Sequence, residues 1–240
     1  MIGASPYEVL QLDKVRRVIA KRMLASVRDI AHVTLHRSVD ASTLINARRQ
    51  ASMEGRNGAG VRITLTAFIA SALGSSLREY PRINGRTEEG EIRLYHRVNL
   101  GVAIEVGDGL VAPVIRDVDQ KSPLEIAAEL TQLAERAQDN KLVPSDFADI
   151  TFTMTNLGAF GVEKFTPIIN PPQLGILGVG AVIPTVSFVE GQVRELPLLG
   201  LSLSFDHAAL DGAQAARFLD VLARHIETPV FPAAGDWRSK

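Results

Sequence analysis

The apolar positions change period along the chain, and the changes mark the elements. Val15, Val18, Ile19 and Met23 recur at helical spacing, while Lys14, Arg17, Lys21 and Arg28 fall on the other side. With Asp13 suited to an N-cap, residues 13–28 read as an amphipathic helix. Residues 7–12 read as a short strand before it. In 32–40, Val33, Leu35, Arg37 and Val39 alternate with polar neighbours, which predicts a strand. A helix over 41–52, a Gly-rich break over 53–60 and a strongly apolar helix over 64–80, stopped by Pro81, follow. The β-branched runs 97–106 and 110–118, parted by the turn GDG, predict a hairpin. Residues 122–142 give the clearest helix, with Ser122 as cap and Pro123 in the first turn. Strands are expected at 150–155, 174–182 and 198–205, a second hairpin at 186–189 and 192–196 around Glu190-Gly191, and a last helix over 213–226.

Helices and strands intermix without strict βαβ alternation, and two hairpins argue for an α/β fold with a mixed β-sheet and packed helices. The pattern holds no internal repeat and no long linker, so the 240 residues read as one domain.

Composition removes several chemistries. There are no cysteines, so a disulfide scaffold, Cys-ligated zinc and a thiol nucleophile are excluded. The net charge of −1 gives no global attraction to nucleic acid or anionic membranes. No apolar run approaches the ~20 residues of a membrane span, and the N-terminus lacks a secretory pattern, so a cytoplasmic protein is expected.

Five histidines remain as candidates. His225, near the end of a predicted helix, suits a structural role at the negative pole of the helix dipole. His32 and His36 have the i, i+4 spacing of a helical metal pair, but their segment reads as a strand and no third ligand lies nearby, so no metal site is expected. GILGVG (175–180) has glycines in the wrong order for a dinucleotide loop and is followed by strand rather than helix. The basic residues between Lys14 and Arg22 suit either a solvated helix face or a phosphate patch, the former being favoured. His207 differs from the other histidines. It lies between an apolar strand and a helix, where α/β folds place reactive side chains, with Asp211 four residues on and Gly212 next. On spacing alone, a structural histidine beside a carboxylate is a better account than a catalytic one.

At this point the sequence resembles a family. DHAALDGAQAARFL is similar to the DHRxxDGAxAARFL signature of dihydrolipoamide acyltransferases, the catalytic domains of the E2 components of 2-oxoacid dehydrogenase complexes, related in fold to chloramphenicol acetyltransferase. VRRVIAKRM, GVAIEVGDGLVAPVIRDVDQKSPLEIAAE and TFTMTNLGAFGVEKFTPIINPPQLGILGVG resemble further family blocks in the same order, over about residues 7–230. The resemblance implies a two-layer chloramphenicol acetyltransferase-like sandwich. The implied reaction is transfer of an acyl group, acetyl by the wording of the blocks, between a dihydrolipoyl thiol and coenzyme A. His207 would be the general base, Thr155 the oxyanion donor where the family has a serine, and Asp211 an organiser paired with Arg16. Phe205 and Asn170 would line the substrate channel. The family's arrangement is a homotrimer whose active site lies between subunits, with other 2-oxoacid dehydrogenase subunits as partners. The alternatives are acetylation of another acceptor, or a weakly active scaffold core. Ala208 replaces the family's usual arginine. No lipoyl or peripheral-subunit-binding domain precedes Tyr7, so the lipoyl group is expected in trans, to an excised core or a stand-alone enzyme. The polar C-terminal residues predict an isolated trimer rather than a 24-mer or 60-mer.

Overall fold

The computed structural model describes residues 7–55, 63–107 and 109–231. Helix α1 (Lys14–Asp29) is capped by Asp13, whose carboxylate accepts the Arg16 N–H at 2.6 Å. Strand β1 (His32–Asp40) and helices α2 (Ser42–Gly55) and α3 (Leu65–Glu79) follow. The hydroxyl of Thr64 caps α3, which is apolar on nearly every side because it is buried in the core. Hairpin β2 (Gly85–Glu88) and β3 (Glu91–Leu94) comes next. Strands β4 (Leu100–Val102), β5 (Ile104–Val106), β6 (Gly109–Val111) and β7 (Val114–Ile115) form a hairpin broken in the middle. Helix α4 (Pro123–Gln138) opens on a capping box between Ser122 and Glu125. Strand β8 (Phe152–Asn156) precedes the long strands β9 (Gly175–Val189) and β10 (Gln192–Asp206), and α5 (Gly212–Glu227) ends the described fold.

Six strands form one mixed sheet in the order β1-β10-β9-β8-β4-β7. β8 runs parallel to β4 and β9, and the other pairs are antiparallel. Alternation along the strands gives the sheet two unlike faces. Val39, Leu201, Leu203, Phe205, Leu177, Val179, Phe152 and Met154 form one face and belong to the core with Phe68, Leu73, Phe218 and Leu222 of the helices. The Phe152 and Phe218 rings lie 6.1 Å apart. The other face carries Thr153 and Thr155, Ile176 and Gly178, Ser202 and Ser204, and Thr34 and His36. Instead of a helix it carries the irregular segment 157–174.

Several expectations are corrected. Residues 7–12 form no strand. The strands expected at 174–182 and 198–205 and the hairpin at 186–196 are one continuous ribbon, β9–β10, with Pro184 opposite Pro197. The hairpin of 97–118 is split into two short pairs, β4–β7 and β5–β6. The β2–β3 hairpin was not anticipated. Of the break expected over 53–60, residues 56–60 lie outside the described residues.

Candidate active site

His207 follows directly on β10. Its backbone N–H donates to the Ala31 carbonyl at 2.8 Å, which ties it to the junction of α1 and β1. The Asp206 carboxylate accepts the Ala208 N–H at 3.0 Å, and the Asp206 carbonyl accepts from Ala209 and Leu210. This tight turn ends the strand and leaves the His207 side chain exposed. The Phe205 ring lies 5.7 Å from the imidazole, centroid to centroid. Phe205 is fully buried in the core, so it backs His207 rather than lining an open channel, because alternation turns it to the helix side of the sheet.

Asp211 stands at the N-cap of α5, exposed, with its N–H received by the Gln214 side chain at 3.0 Å. The expected pairing with Arg16 is not among the ion pairs of the described residues. Arg16 sits in the first turn of α1, whereas the other end of that helix adjoins the His207 turn, roughly 15 Å of helix rise from Arg16 to Ser26. The Ser26 hydroxyl donates to the Ile169 carbonyl at 2.6 Å and lies 3.2 Å from His32 Nε2. This contact brings the segment carrying Asn170 toward the His207 end of the sheet. Asn170 is half-buried, precedes the cis Pro171–Pro172 bond, and its carbonyl accepts the Gln173 N–H at 3.1 Å.

Thr155 lies on β8, on the helix-free face, half-buried. Its hydroxyl makes no hydrogen bond to the described residues, and so is available as a donor. Asn156 turns the chain away: its side-chain oxygen accepts the Gly158 N–H at 2.8 Å and its amide donates to Thr66.

The register separates the two central groups. Thr155 is opposite Gly178, Gly178 opposite Ser202, and Ser202 opposite His36. His207 therefore lies five residues further along β10 and two strands across from Thr155. At ~3.3 Å per residue and ~4.8 Å per strand, the two are about 19 Å apart within one chain. No single thioester carbon reaches both.

Two of the other histidines, His36 and His225, sit in structural settings. His36 Nδ1 is 2.9 Å from the Ser202 hydroxyl, and His225 Nε2 is 2.9 Å from Glu79. That hydrogen bond, with a second from Arg224, holds the Glu79 carboxyl below its ordinary range. The glycines of GILGVG form a floor. A Cβ at Gly180 would collide with the Glu163 carbonyl, and one at Gly178 would lie 2.8 Å from the Phe165 ring. Segment 162–165 crosses the strands here, with Ala181 N–H donating to the Val162 carbonyl at 2.7 Å. Phe165 was not foreseen. The signal for it is the run of small residues at alternate positions of β9, which leaves room for something large.

The arrangement belongs to a class of acyltransferase fold. The solved chloramphenicol acetyltransferase aligns with a TM-score of 0.51 at 14% identity, over 86% of this chain and 92% of that one, a likeness of fold alone. Residues 4–232 match the family described as 2-oxoacid dehydrogenases acyltransferase (catalytic domain), and the chain belongs to that family. It is 37% identical over 214 residues to the dihydrolipoyllysine-residue acetyltransferase component of the acetoin cleaving system of Bacillus subtilis, covering 89% of this chain and 54% of the relative. The chain thus spans about half the length of the curated relatives it matches. The dihydrolipoamide acetyltransferase of Azotobacter vinelandii aligns with a TM-score of 0.89 at 34% identity, over 92% of each chain. In that enzyme a serine, a histidine and an asparagine were investigated for roles in the catalytic mechanism, and they are spaced 52 and 4 positions apart. Thr155, His207 and Asp211 have the same spacing. The cubic core of a pyruvate dehydrogenase multienzyme complex aligns with a TM-score of 0.88 at 33% identity, over 92% of each chain.

Proposed function

We propose that this chain moves an acetyl group between a dihydrolipoyl thiol and coenzyme A, at a site formed between copies of itself. The observation that carries this reading is the separation of Thr155 from His207. Both have the sequence spacing of the Azotobacter pair, yet one chain holds them about 19 Å apart. A second copy supplying the missing group reconciles the two facts, and the homotrimer implied by the family resemblance provides it.

The chemistry follows from thiol acidity. A free thiol, with pKa near 8.5, is mostly protonated at neutral pH, and the thiolate is the nucleophile. His207 takes the thiol proton as the sulfur attacks the thioester carbonyl. A C–S bond forms, and the carbonyl electrons move onto oxygen. The Thr155 hydroxyl of a neighbouring copy donates a hydrogen bond to that oxyanion. When the intermediate collapses, the other C–S bond breaks, and the leaving sulfur recovers the proton from the imidazolium. The chain has no cysteine to hold the acyl group, which agrees with direct transfer. Coenzyme A is a substrate here, and the lipoyl group is delivered on a separate domain or chain. Asp211, at the N-cap of α5 just after the turn that presents His207, is assigned the organising role in the same reading. Partner subunits of a 2-oxoacid dehydrogenase complex, and a cytoplasmic location, belong to the same reading.

The test is His207→Ala, assayed for acetyl transfer from acetyl-CoA to dihydrolipoamide. A fall of about 10²–10⁴ is expected for loss of a general base. Turnover within a few-fold of the wild type refutes the mechanism.

A further inference from the structure

His32, which its spacing from His36 offers as half of a metal pair, is bonded within the protein instead. Its Nε2 is 3.2 Å from the Ser26 hydroxyl and 3.3 Å from the Ser26 carbonyl. The hydroxyl gives its one proton to the Ile169 carbonyl at 2.6 Å. Both atoms facing Nε2 therefore act as acceptors, so Nε2 carries the hydrogen and donates it. Ser26 and Ile169 are fully buried, and His32 is half-buried. The relay runs one way, from His32 N–H to Ser26 O–H to the Ile169 carbonyl. It joins the start of β1, the last turn of α1 and segment 157–174.

These elements flank the turn that presents His207. On one side the His207 N–H donates to the carbonyl of Ala31, the residue before His32, at 2.8 Å. On the other the Asp206 N–H donates to the Leu174 carbonyl at 2.9 Å. From Leu174 the chain runs back to Ile169 through a turn in which the Gln173 N–H donates to the Asn170 carbonyl at 3.1 Å. Backbone and hydrogen bonds thus form a ring around the end of β10. It passes through Ala31 and His32, Ser26, Ile169 to Leu174, and Asp206 and His207, and the bond from His32 to Ser26 closes it.

A general base works only where its nitrogen meets the proton it takes, and a misplacement of about 1 Å can cost about 10²-fold in rate. The His207 side chain is exposed, so its placement depends on the backbone that carries it. From this geometry we infer that His32 is a positioning residue for His207, holding its turn in place through the relay to Ser26 and Ile169. His32 acts on the frame of the turn and not on the substrate. The inference rests on the functional reading above, since it takes His207 as the base. It gives the histidine of β1 a part in the reaction.

The experiment measures acetyl transfer from acetyl-CoA to dihydrolipoamide by His32→Leu, Ser26→Ala and the double variant, each with His207 intact and in the His207→Ala background. With His207 intact, His32→Leu is expected to lower kcat by about 10–100-fold while KM for acetyl-CoA stays within about 3-fold. His32→Gln, whose amide restores an N–H donor, is expected to recover most of the loss. Ser26→Ala breaks the same relay at its middle, so it supplies the comparison if the leucine variant fails to fold. The double variant is expected to lose no more than the worse single one, because both changes remove one relay. In the His207→Ala background the His32 and Ser26 changes are expected to cost nothing further, since no base is left to place. A loss of equal size in both backgrounds, or a folded variant within a few-fold of an active wild type, overturns the assignment of His32 alone. A wild-type protein that transfers no acetyl group overturns the functional reading and this inference with it.

Discussion

If the site is shared between copies, two inactive variants should rescue each other, and the extent is calculable. Thr155→Ala removes the oxyanion donor and is expected to lower kcat by about 10²–10³. His207→Ala removes the base. In a cyclic trimer each site takes His207 from one copy and Thr155 from the next, and every interface is of this heterologous kind. A mixed trimer, whether two-to-one or one-to-two, then contains one interface in which a Thr155→Ala chain supplies the histidine and a His207→Ala chain supplies the threonine. Purified mixed trimers should therefore show about a third of wild-type activity, and a random refolded mixture about a quarter. Either parent alone should show about a hundredth or less. The assay is acetyl transfer to dihydrolipoamide by differently tagged chains, co-expressed and purified over both tags, with native mass spectrometry confirming the composition. Were the two groups to meet within one chain, no mixed site could be intact. Activity no greater than the mean of the parents in confirmed mixed trimers would refute the shared site, and with it the about 19 Å separation as its rationale.

Gly180→Ala drives a Cβ into the Glu163 carbonyl. A cost of about 1–3 kcal/mol is expected for overpacking, which lowers Tm by roughly 2–12 °C in a chain of this size, and calorimetry giving an unchanged Tm would contradict the close approach. Asp119 is buried with Oδ1 unpartnered and Arg78 at 3.9 Å, and burial raises its pKa above the ordinary value. Its folded-state preference for the proton adds stability below the usual aspartate pKa, and this is lost as pH rises through the raised folded value. Asp119→Asn should therefore melt higher than the wild type at pH 7, with the gap closing on acidification. Glu79 is shifted the other way, so its contribution is present above the usual glutamate pKa and lost as pH falls through the lowered folded value. His225→Ala should flatten the acid limb of the stability profile followed by circular dichroism, and an identical profile would show that the Glu79 contact contributes nothing.

The helices were legible because their signals are local. Caps at Asp13 and Ser122, the stop at Pro81 and the 3.6-residue period place α1, α3 and α4 close to where they lie. The sequence pattern divides the ribbon β9–β10 into separate strands, with gaps that fall at Pro184 and Pro197. They face each other where the ribbon reaches past β8, so Pro184 has no second neighbour to bond. The β2–β3 hairpin, RTEEGEIRL, is rich in charge and largely exposed, so no buried face imposes alternation on it.

The site was legible to the extent that it is local. His207, Ala208 and Asp211 lie within five residues of one strand end, and a motif of that length can be read directly. Arg16 and Phe165 depend on which elements meet, which no spacing encodes. Yet the strands did carry a trace of the face on which Phe165 lies. Thr153 and Thr155, Gly178 and Gly180, and Ser202 and Ser204 put small or hydroxyl side chains at every second position, while the intervening positions are Met154, Leu177, Val179, Leu201 and Leu203. A sheet with one face built of such residues cannot bury that face against a helix, because there is too little apolar area to offset the desolvation of the hydroxyls. It needs a polar or irregular cover that supplies hydrogen bonds of its own. Segment 157–174 provides this over β9 and β10, through Phe165 N–H on the Ser202 hydroxyl and the Val162 carbonyl on the Ala181 N–H. Thr155 is the half-buried member of the row whose hydroxyl makes no hydrogen bond among the described residues, and that open donor is the reason to look for chemistry there rather than for packing alone.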